Sequence, residues 1–267
     1  MRSLQPLVDA GVFKFKWPAA LEYKLFTILH DGDVTEVRGV RARDKFLKEE
    51  EGAEVVDEED VLEPVDILYR NLGVVFRRIE SVCNHNDPMV FLGSKNNFRL
   101  DLFPDYKKSR LNKPKPYYQP HTIEWLRSNY ECIEVDGYEE DDAVCIYQGT
   151  NTCIVGEDKD LNQMPGYHYN PVTDKKFKVG QKDGDFFLYT QILAGDGGDD
   201  IPGIKGIGMA KAAKHLEGSQ NVEELYTRSL AMYVDKGYTQ ADMHLTGQLV
   251  YMLRSEDDSY LKRPEIQ

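Results

Sequence analysis

The chain has 267 residues, with 33 lysines and arginines against 46 aspartates and glutamates, a net charge of −13 at neutral pH. That length suits one large α/β domain or a domain with a smaller appendage, and that charge excludes a protein that coats nucleic acid through an overall positive field. No run of 18 apolar residues occurs, and residues 1–9 have no basic stretch leading into a long apolar segment, so neither a membrane span nor a secretory leader is predicted and a cytoplasmic location is expected.

Along the chain, short apolar runs ending on polar residues alternate with segments of helical spacing. Leu7-Val8 leads into Asp9 as a first strand, and residues 19–29 read as a helix. Residues 49–66 hold ten acids and no lysine or arginine, which reads as a solvated loop or helix face. Residues 65–82, apolar near every third or fourth position, read as a helix, and residues 89–92 as a strand before Gly93-Ser94. Residues 95–115 reverse the charge, with seven basic residues and two acids, and end in Lys113-Pro114-Lys115-Pro116, which cannot be helical interior.

A helix over 120–129, a strand over 132–135 before Asp136, a helix over 141–148 and a strand over 153–155 before Gly156-Glu157-Asp158 follow. From about Phe186 no strand pattern is evident, and helices are predicted over 186–193, 209–216, 222–236 and 239–253. The β-then-α rhythm predicts a largely parallel, twisted sheet with helices on both faces. Ligands of such sheets sit outside the carboxyl ends of the strands, where this sequence puts its acids. Cys83, Cys132, Cys145 and Cys153 show no metal or redox spacing and read as reduced, mostly buried thiols.

Glu139-Glu140-Asp141-Asp142 follows a strand and opens a helix, so Glu139 and Asp142 can share a face with Asp141 about a quarter turn away. Acids in a first helical turn also complement the helix dipole, and the two readings weigh equally for this motif alone. Asp158 and Asp160, two apart after a strand, are expected to point the same way. Asp196 and Asp199 stand in a glycine-rich stretch and would by themselves be turn residues. Carboxylates converging on one sheet edge repel unless cations neutralise them, and an oxygen-only set without histidine or cysteine favours Mg²⁺ or Mn²⁺. Two such ions suit phosphodiester hydrolysis.

The segment from Gly203 to Lys211 is a glycine-rich turn running into a helix, able to receive a backbone phosphate on its amides or to serve as a plain packing element. It is not a Walker motif. Lys95, Arg99, Lys107, Lys108, Arg110 and Lys113 are interleaved with Phe98, Phe103, Tyr106 and Tyr117, the composition of a strand-tracking surface or of a solvated basic loop.

In order along the chain, Phe98-Arg99, Pro104-Asp105-Tyr106-Lys107-Lys108-Ser109-Arg110, Glu139-x-Asp141-Asp142, Asp158-Lys159-Asp160 and Gly195-Asp196-x-x-Asp199-Asp200-Ile201-Pro202-Gly203-x-x-Gly206-x-Gly208 resemble the flap endonuclease and 5′-to-3′ exonuclease family, bacteriophage members above all. The resemblance implies a PIN-like α/β catalytic core over 1–183, with a basic arch or gateway over 95–118. It also implies a helical helix-three-turn-helix subdomain over 184–267, whose hairpin spans 195–216. By that likeness Asp9, Glu139, Asp141, Asp142 and Asp158 lie near a first divalent metal and Asp160, Asp196 and Asp199 near a second. Asp141 and Asp142 would act in catalysis with Lys107 and Arg110, the latter two on the scissile phosphate.

Lys95, Arg99, Tyr106, Lys107, Lys108 and Arg110 would line the DNA path, and Gly203, Lys205, Gly206, Gly208 and Lys211 would hold duplex, where some relatives also bind K⁺. The implied partners are DNA with 5′ ends, flaps or nicks, with RNA primers a further substrate class, and a monomer is expected. The aspartate that the family carries after the second strand is Ser94 here, so one metal ligand is missing unless Ser94 acts through water or Asp101 reaches in. Asp200 stands where relatives often have asparagine. A non-catalytic branched-DNA-binding protein and a PIN-type ribonuclease are the competing readings.

Overall fold

The computed structural model describes residues 2–94 and 96–267. In chain order the elements are β1 (Gln5–Asp9), α1 (Gly11–Ala19), β2 (Glu22–His30), β3 (Asp33–Arg38), α2 (Val40–Glu49), β4 (Glu54–Leu62), α3 (Val65–Cys83), β5 (Met89–Leu92), α4 (Phe98–Leu102), α5 (Gln119–Asn129), β6 (Glu131–Glu134), α6 (Glu140–Ile146), β7 (Thr152–Val155), β8 (Gly166–Asn170), β9 (Lys175–Val179), α7 (Gln181–Ala194), β10 (Gly195–Asp196), β11 (Ile201–Pro202), α8 (Met209–Leu216), α9 (Val222–Asp235) and α10 (Gln240–Val250). They fall into two compact units, one of Met1–Val12, Arg77–Pro114 and Asn129–Gln267, the other of Phe13–Phe76 and Lys115–Ser128. No helix among the described residues is long and apolar enough to cross a membrane.

The first unit is built on a six-stranded sheet of order β6-β5-β1-β7-β8-β9. Every pairing is parallel except β8 with β9. β1 lies inside, Leu7 registering with Met89 on one side and Ile154 on the other. Strands buried on both faces read as continuous apolar runs, which is why Leu7-Val8, Met89–Leu92 and Cys153-Ile154-Val155 were legible as strands. Residues 184–267 belong to this same unit, and position 183/184 falls within α7. An apolar cluster that includes Leu188, Ile192, Ile204, Leu216 and Tyr233 joins α7 to α8, α9 and α10. The short β10–β11 ladder corrects the expectation of a purely helical C-terminal part.

The second unit carries an antiparallel sheet of order β3-β2-β4 that the sequence reading missed. Residues 22–30 are strand, not the helix expected over 19–29. Leu21, Leu25 and Leu29 are four apart and imitate a helical stripe, but the residues buried to 0% exposure in this strand are Phe26 and Ile28, a period of two. Asp31-Gly32, both at positive φ, closes a two-residue hairpin in which His30 pairs with Asp33. That dipeptide was the available signal. The acidic run is solvated as expected, yet Glu54–Leu62 of it is a strand rather than loop or helix, with Lys24 of β2 set against Glu58 and Asp60.

Candidate active site

The acids gather at the carboxyl edge of the parallel sheet. Asp9 closes β1, is 4% exposed, and accepts from the Gly11 amide at 2.7 Å. Three glycines, Gly11, Gly93 and Gly156, follow β1, β5 and β7 and leave room for carboxylates. A Cβ on Gly156 would stand 3.3 Å from Asp9 Oδ2, one on Gly11 would stand 3.0 Å from Asp9 Oδ1 and 3.1 Å from Glu140 Oε1, and one on Gly93 would overlap Glu140 Oε2.

Glu139 caps α6, and one oxygen each of Glu139, Asp141 and Asp142 lie within 4.8 Å of one another. Their environments differ. Glu139 accepts from Tyr106 Oη at 2.6 Å and from Lys107 Nζ. Burial opposes its charge, but Lys107 and Arg99 outweigh that and hold its carboxyl below the usual range. Burial, then repulsion from Glu139 and Asp142, pushes Asp141 well above it. Asp142 is fully buried and accepts from both terminal nitrogens of Arg99.

Arg99, expected on the DNA path, is instead at 0% exposure, donating also to Leu249 O at 2.7 Å and Tyr251 O at 3.0 Å. A buried guanidinium needs such partners, and the Phe98-Arg99 motif supplies a strut for α6. Tyr106 is likewise 4% exposed, so it fixes Glu139 and offers no stacking platform. The sequence pattern of basic and aromatic residues did not distinguish inward from outward side chains.

Lys107, at φ 53°, turns its ammonium between Glu139 and Asp199, 3.6 Å from Asp199 Oδ2. Arg110 also pairs with Asp199, its Nε donating to Gly198 O at 2.9 Å. Burial keeps the Asp199 carboxyl above its ordinary range despite these cations. The 105–110 turn is docked on the 196–200 loop through Lys107 N to Asp199 O at 2.9 Å and Ser109 N to Asp200 Oδ2 at 2.8 Å.

Asp158 and Asp160 do not point together, because the strand stops at Val155 and Asp158 caps a short 3₁₀ helix over Lys159–Gln163, accepting from Asp160 N at 2.9 Å. Asp158 is exposed, while Asp160 is 8% exposed and accepts from Gln191 Nε2 at 2.6 Å. Burial, then Asp158, raises the Asp160 carboxyl to about 7. Asp196 accepts from Lys159 Nζ at 2.6 Å and Gly198 N at 2.8 Å, and these bonds overcome burial to hold it below the usual range. The acids thus form neighbouring groups: Asp9 with Glu140, the Glu139–Asp142 cluster tied to Asp199 through Lys107, and Asp160 near Asp196 through Lys159. Cys145 on α6 lies within the field of Asp141, Asp142 and Asp9, which together with its burial pushes its thiol up.

Ser94 donates to Asp136 Oδ1 at 2.9 Å, and Asp101 is exposed on α4 beside a separate cavity with Tyr138 and Gln248, so neither fills the missing place after β5. Lys95 lies outside the described residues. Lys108 is exposed and bonds Asp105 Oδ1 at 2.8 Å. In the glycine-rich turn Lys205 and Gly206 are exposed, Gly206 at φ 80°, Gly208 caps α8, and Lys211 Nζ donates to Gly206 O at 2.9 Å. Gly203 differs, for a Cβ there would overlap the backbone of Ala194 and Gly195. Sequence reasoning missed the carboxylate-orienting Gln191, which carries no spacing signal.

No family model matches the chain. A DNA polymerase I of Rhizobium leguminosarum is 33% identical over 159 residues, 53% of this chain and 16% of that protein. A 5′-3′ exonuclease of Aquifex aeolicus (strain VF5) is 27% identical over 241 residues, 76% of this chain and 79% of the relative. A flap endonuclease Xni of Shewanella sediminis (strain HAW-EB3) is 29% identical over 158 residues, 52% of this chain and 61% of the relative. A 5′-3′ exonuclease and a flap endonuclease are thus among the relatives, beside a DNA polymerase I. The chain thus spans under two thirds of two of these three relatives. The crystal structure of the bacteriophage T5 flap endonuclease in complex with DNA and metal ions superposes with a TM-score of 0.55 at 14% identity, covering 70% of this chain and 81% of that one. That likeness carries the fold alone, a mostly parallel α/β core.

Proposed function

We propose that the chain is a metal-dependent 5′ nuclease, a 5′-3′ exonuclease or flap endonuclease that hydrolyses phosphodiester bonds in DNA with 5′ ends, flaps or nicks. The observation that carries this reading is the cluster of Glu139, Asp141 and Asp142, with oxygens within 4.8 Å of one another, joined to Asp199 by the Lys107 ammonium, which stands between Glu139 and Asp199 as a cation. Oxygen-only donors and a cationic stand-in fit hard divalent ions, and Mg²⁺ or Mn²⁺, two per site, are the proposed cofactors. Such ions supply an activated water and charge stabilisation at the phosphoryl oxygens.

The chain's own residues would divide the remaining work. Glu139 and Asp141 offer ligand oxygens on one side, and Asp160, Asp196 and Asp199 on the other. Arg99 holds Asp142 and with it the pitch of α6. Lys107 and Arg110, whose partners are carboxylates, can exchange them for a phosphate once divalent ions neutralise the acids. Residues 95–118 would be the gateway, and residues 184–267 with Lys205, Gly206, Gly208 and Lys211 would grip duplex backbone through amides and charge, with K⁺ at the turn as in some relatives. RNA primers annealed to DNA are a further proposed substrate.

The test is a 5′-labelled flap and a nicked duplex with Mg²⁺, comparing the chain with Asp141→Ala and Asp199→Ala. Each substitution is expected to lower cleavage at least about 100-fold, since even outer-shell changes at metal sites cost roughly 10–100-fold. Cleavage unchanged by both rejects the site. One observation favours a non-catalytic DNA-binding protein, namely that β5 ends without a carboxylate; binding of branched DNA with no turnover in any metal would establish that reading.

A further inference from the structure

The buried amide of Gln191 on α7 has a fixed direction, set from the far side of the first unit. Gln163, 2% exposed at the end of the 3₁₀ helix that Asp158 caps, meets two backbone groups whose roles cannot be exchanged. Met252 N can only donate, and it donates to Gln163 Oε1 at 3.1 Å; Val250 O can only accept, and it accepts from Gln163 Nε2 at 2.7 Å. The same nitrogen of Gln163 donates to Gln191 Oε1 at 2.7 Å. That turns the Gln191 nitrogen to Asp160 Oδ1, to which it donates at 2.6 Å. Gln191 is at 0% exposure, and Gly184 lets α7 lie directly on the 3₁₀ helix, since a Cβ there would stand 2.4 Å from Gln163 O.

We infer that Gln191 is a positioning residue for the metal site, holding Asp160 by Oδ1 so that the other carboxylate oxygen is presented to a divalent cation. The inference rests on the metal-dependent reading above and deepens it. Every bond in the series donates toward Asp160, Met252 to Gln163, Gln163 to Gln191 and Gln191 to the carboxylate, so neither amide can turn over without losing buried bonds at both of its ends. Gln191 is also a neutral donor. It fixes the direction of the Asp160 carboxylate without neutralising it, whereas the guanidinium of Arg99 neutralises Asp142. Partners of this kind, bonded to a ligand and not to the ion, orient the ligand and raise metal affinity.

The experiment follows the side-chain amide resonances of the isotope-labelled full chain by nuclear magnetic resonance during a Mg²⁺ titration, the Gln191 pair being assigned by its loss in Gln191→Met or Gln191→Leu. That pair is expected to shift on Mg²⁺ addition while the pair of Gln240, exposed on α10, stays in place, and Asp160→Asn is expected to abolish the shift. A Mn²⁺ titration read by electron paramagnetic resonance accompanies it, on variants checked for folding by circular dichroism. Gln191→Met, of similar volume, is expected to weaken one Mn²⁺ ion by about tenfold or more. Gln163→Met, which leaves Gln191 beside Asp160 but removes what fixes its amide, is expected to act in the same direction, and it carries the test if Gln191→Met does not fold. A role in packing alone would lower stability and leave the Mn²⁺ affinities and the Gln191 resonances unmoved. A Gln191 pair that stays in place while the metal binds, or unaltered Mn²⁺ affinities in Gln191→Met beside weakened binding in Asp160→Asn, overturns the role of Gln191 and leaves the metal site standing. Absence of any Mn²⁺ binding by the unaltered chain overturns both.

Discussion

At the level of single residues the site is governed by the balance between burial and the cation beside each carboxylate, a balance that burial wins at Asp199 in spite of Lys107 and Arg110. Glu139 and Asp196 have Lys107 and Lys159 and lie low; Asp141 and Asp160 have burial and like-charged neighbours first and lie high. Motif spacing identified these acids but could not rank them, because the cations that separate them come from 32 and 37 residues away in sequence. Asp160 carries a checkable consequence. Its folded carboxyl titrates near 7 against an ordinary 3.8, so it binds its proton more tightly folded than unfolded. Its stabilising contribution is then complete below the ordinary aspartate range and is lost as pH rises through about 7. With chelator present, the melting temperature should fall as pH rises from about 4 to about 7, and Asp160→Asn should flatten that fall. Mg²⁺ should restore stability at the upper end by binding the folded state alone. Identical pH profiles for the two chains in chelator would show that Asp160 does not titrate there.

At the level of elements, what could be read was what buries an apolar face. The parallel strands and α3 declare themselves through continuous or periodic apolar runs, and the C-terminal helices through theirs. The β2–β4 sheet did not, since β4 places eight of its nine residues in the exposed class and its strand character comes from pairing with β2 rather than from a buried stripe. The hairpin near the site lay between these cases. Its glycines were visible, but not that they serve different ends: Gly206 takes a positive φ in the exposed turn, whereas Gly203 permits β11 to lie directly against the backbone at the end of α7. The difference predicts unequal substitutions. Gly203→Ala forces a β-carbon into the backbone of Ala194 and Gly195, and overpacking of that kind costs about 1–3 kcal/mol. Because Asp196 ends β10 and Asp199 lies in the loop between β10 and β11, the proposed nuclease activity should fall along with urea stability. Gly208→Ala, where a Cβ meets nothing within 4 Å and φ is −96°, should leave urea stability nearly unchanged. Equal denaturation midpoints for the two variants would refute this division of roles.

For the molecule as a whole, the acid edge must be held together by segments that are remote in sequence, and the buried Arg99 is the main tie. It reaches Asp142 at the start of α6 and the carbonyls of Leu249 and Tyr251 at the end of α10, bonds that span 43, 150 and 152 residues. A second tie runs beside it, Gln191 to Asp160 at 2.6 Å and Gln163 to Gln191 and Val250 at 2.7 Å, so the helices after Gly180 and the sheet edge share one polar lattice inside the first unit. Removing one member of a buried ion pair leaves the other charged and unpaired, which costs about 3–5 kcal/mol, whereas replacing both by apolar groups of similar volume is often near neutral. Arg99→Met should therefore lower the stability of the first unit steeply and loosen amide protection in α6 and α10, read by hydrogen exchange. Arg99→Met with Asp142→Leu should recover much of the stability while leaving cleavage of a 5′ flap low, because α6 then regains its packing without the carboxylate field around Asp141. If the double variant is no more stable than the single one, the carbonyls of Leu249 and Tyr251, and not Asp142, are the partners that matter to Arg99.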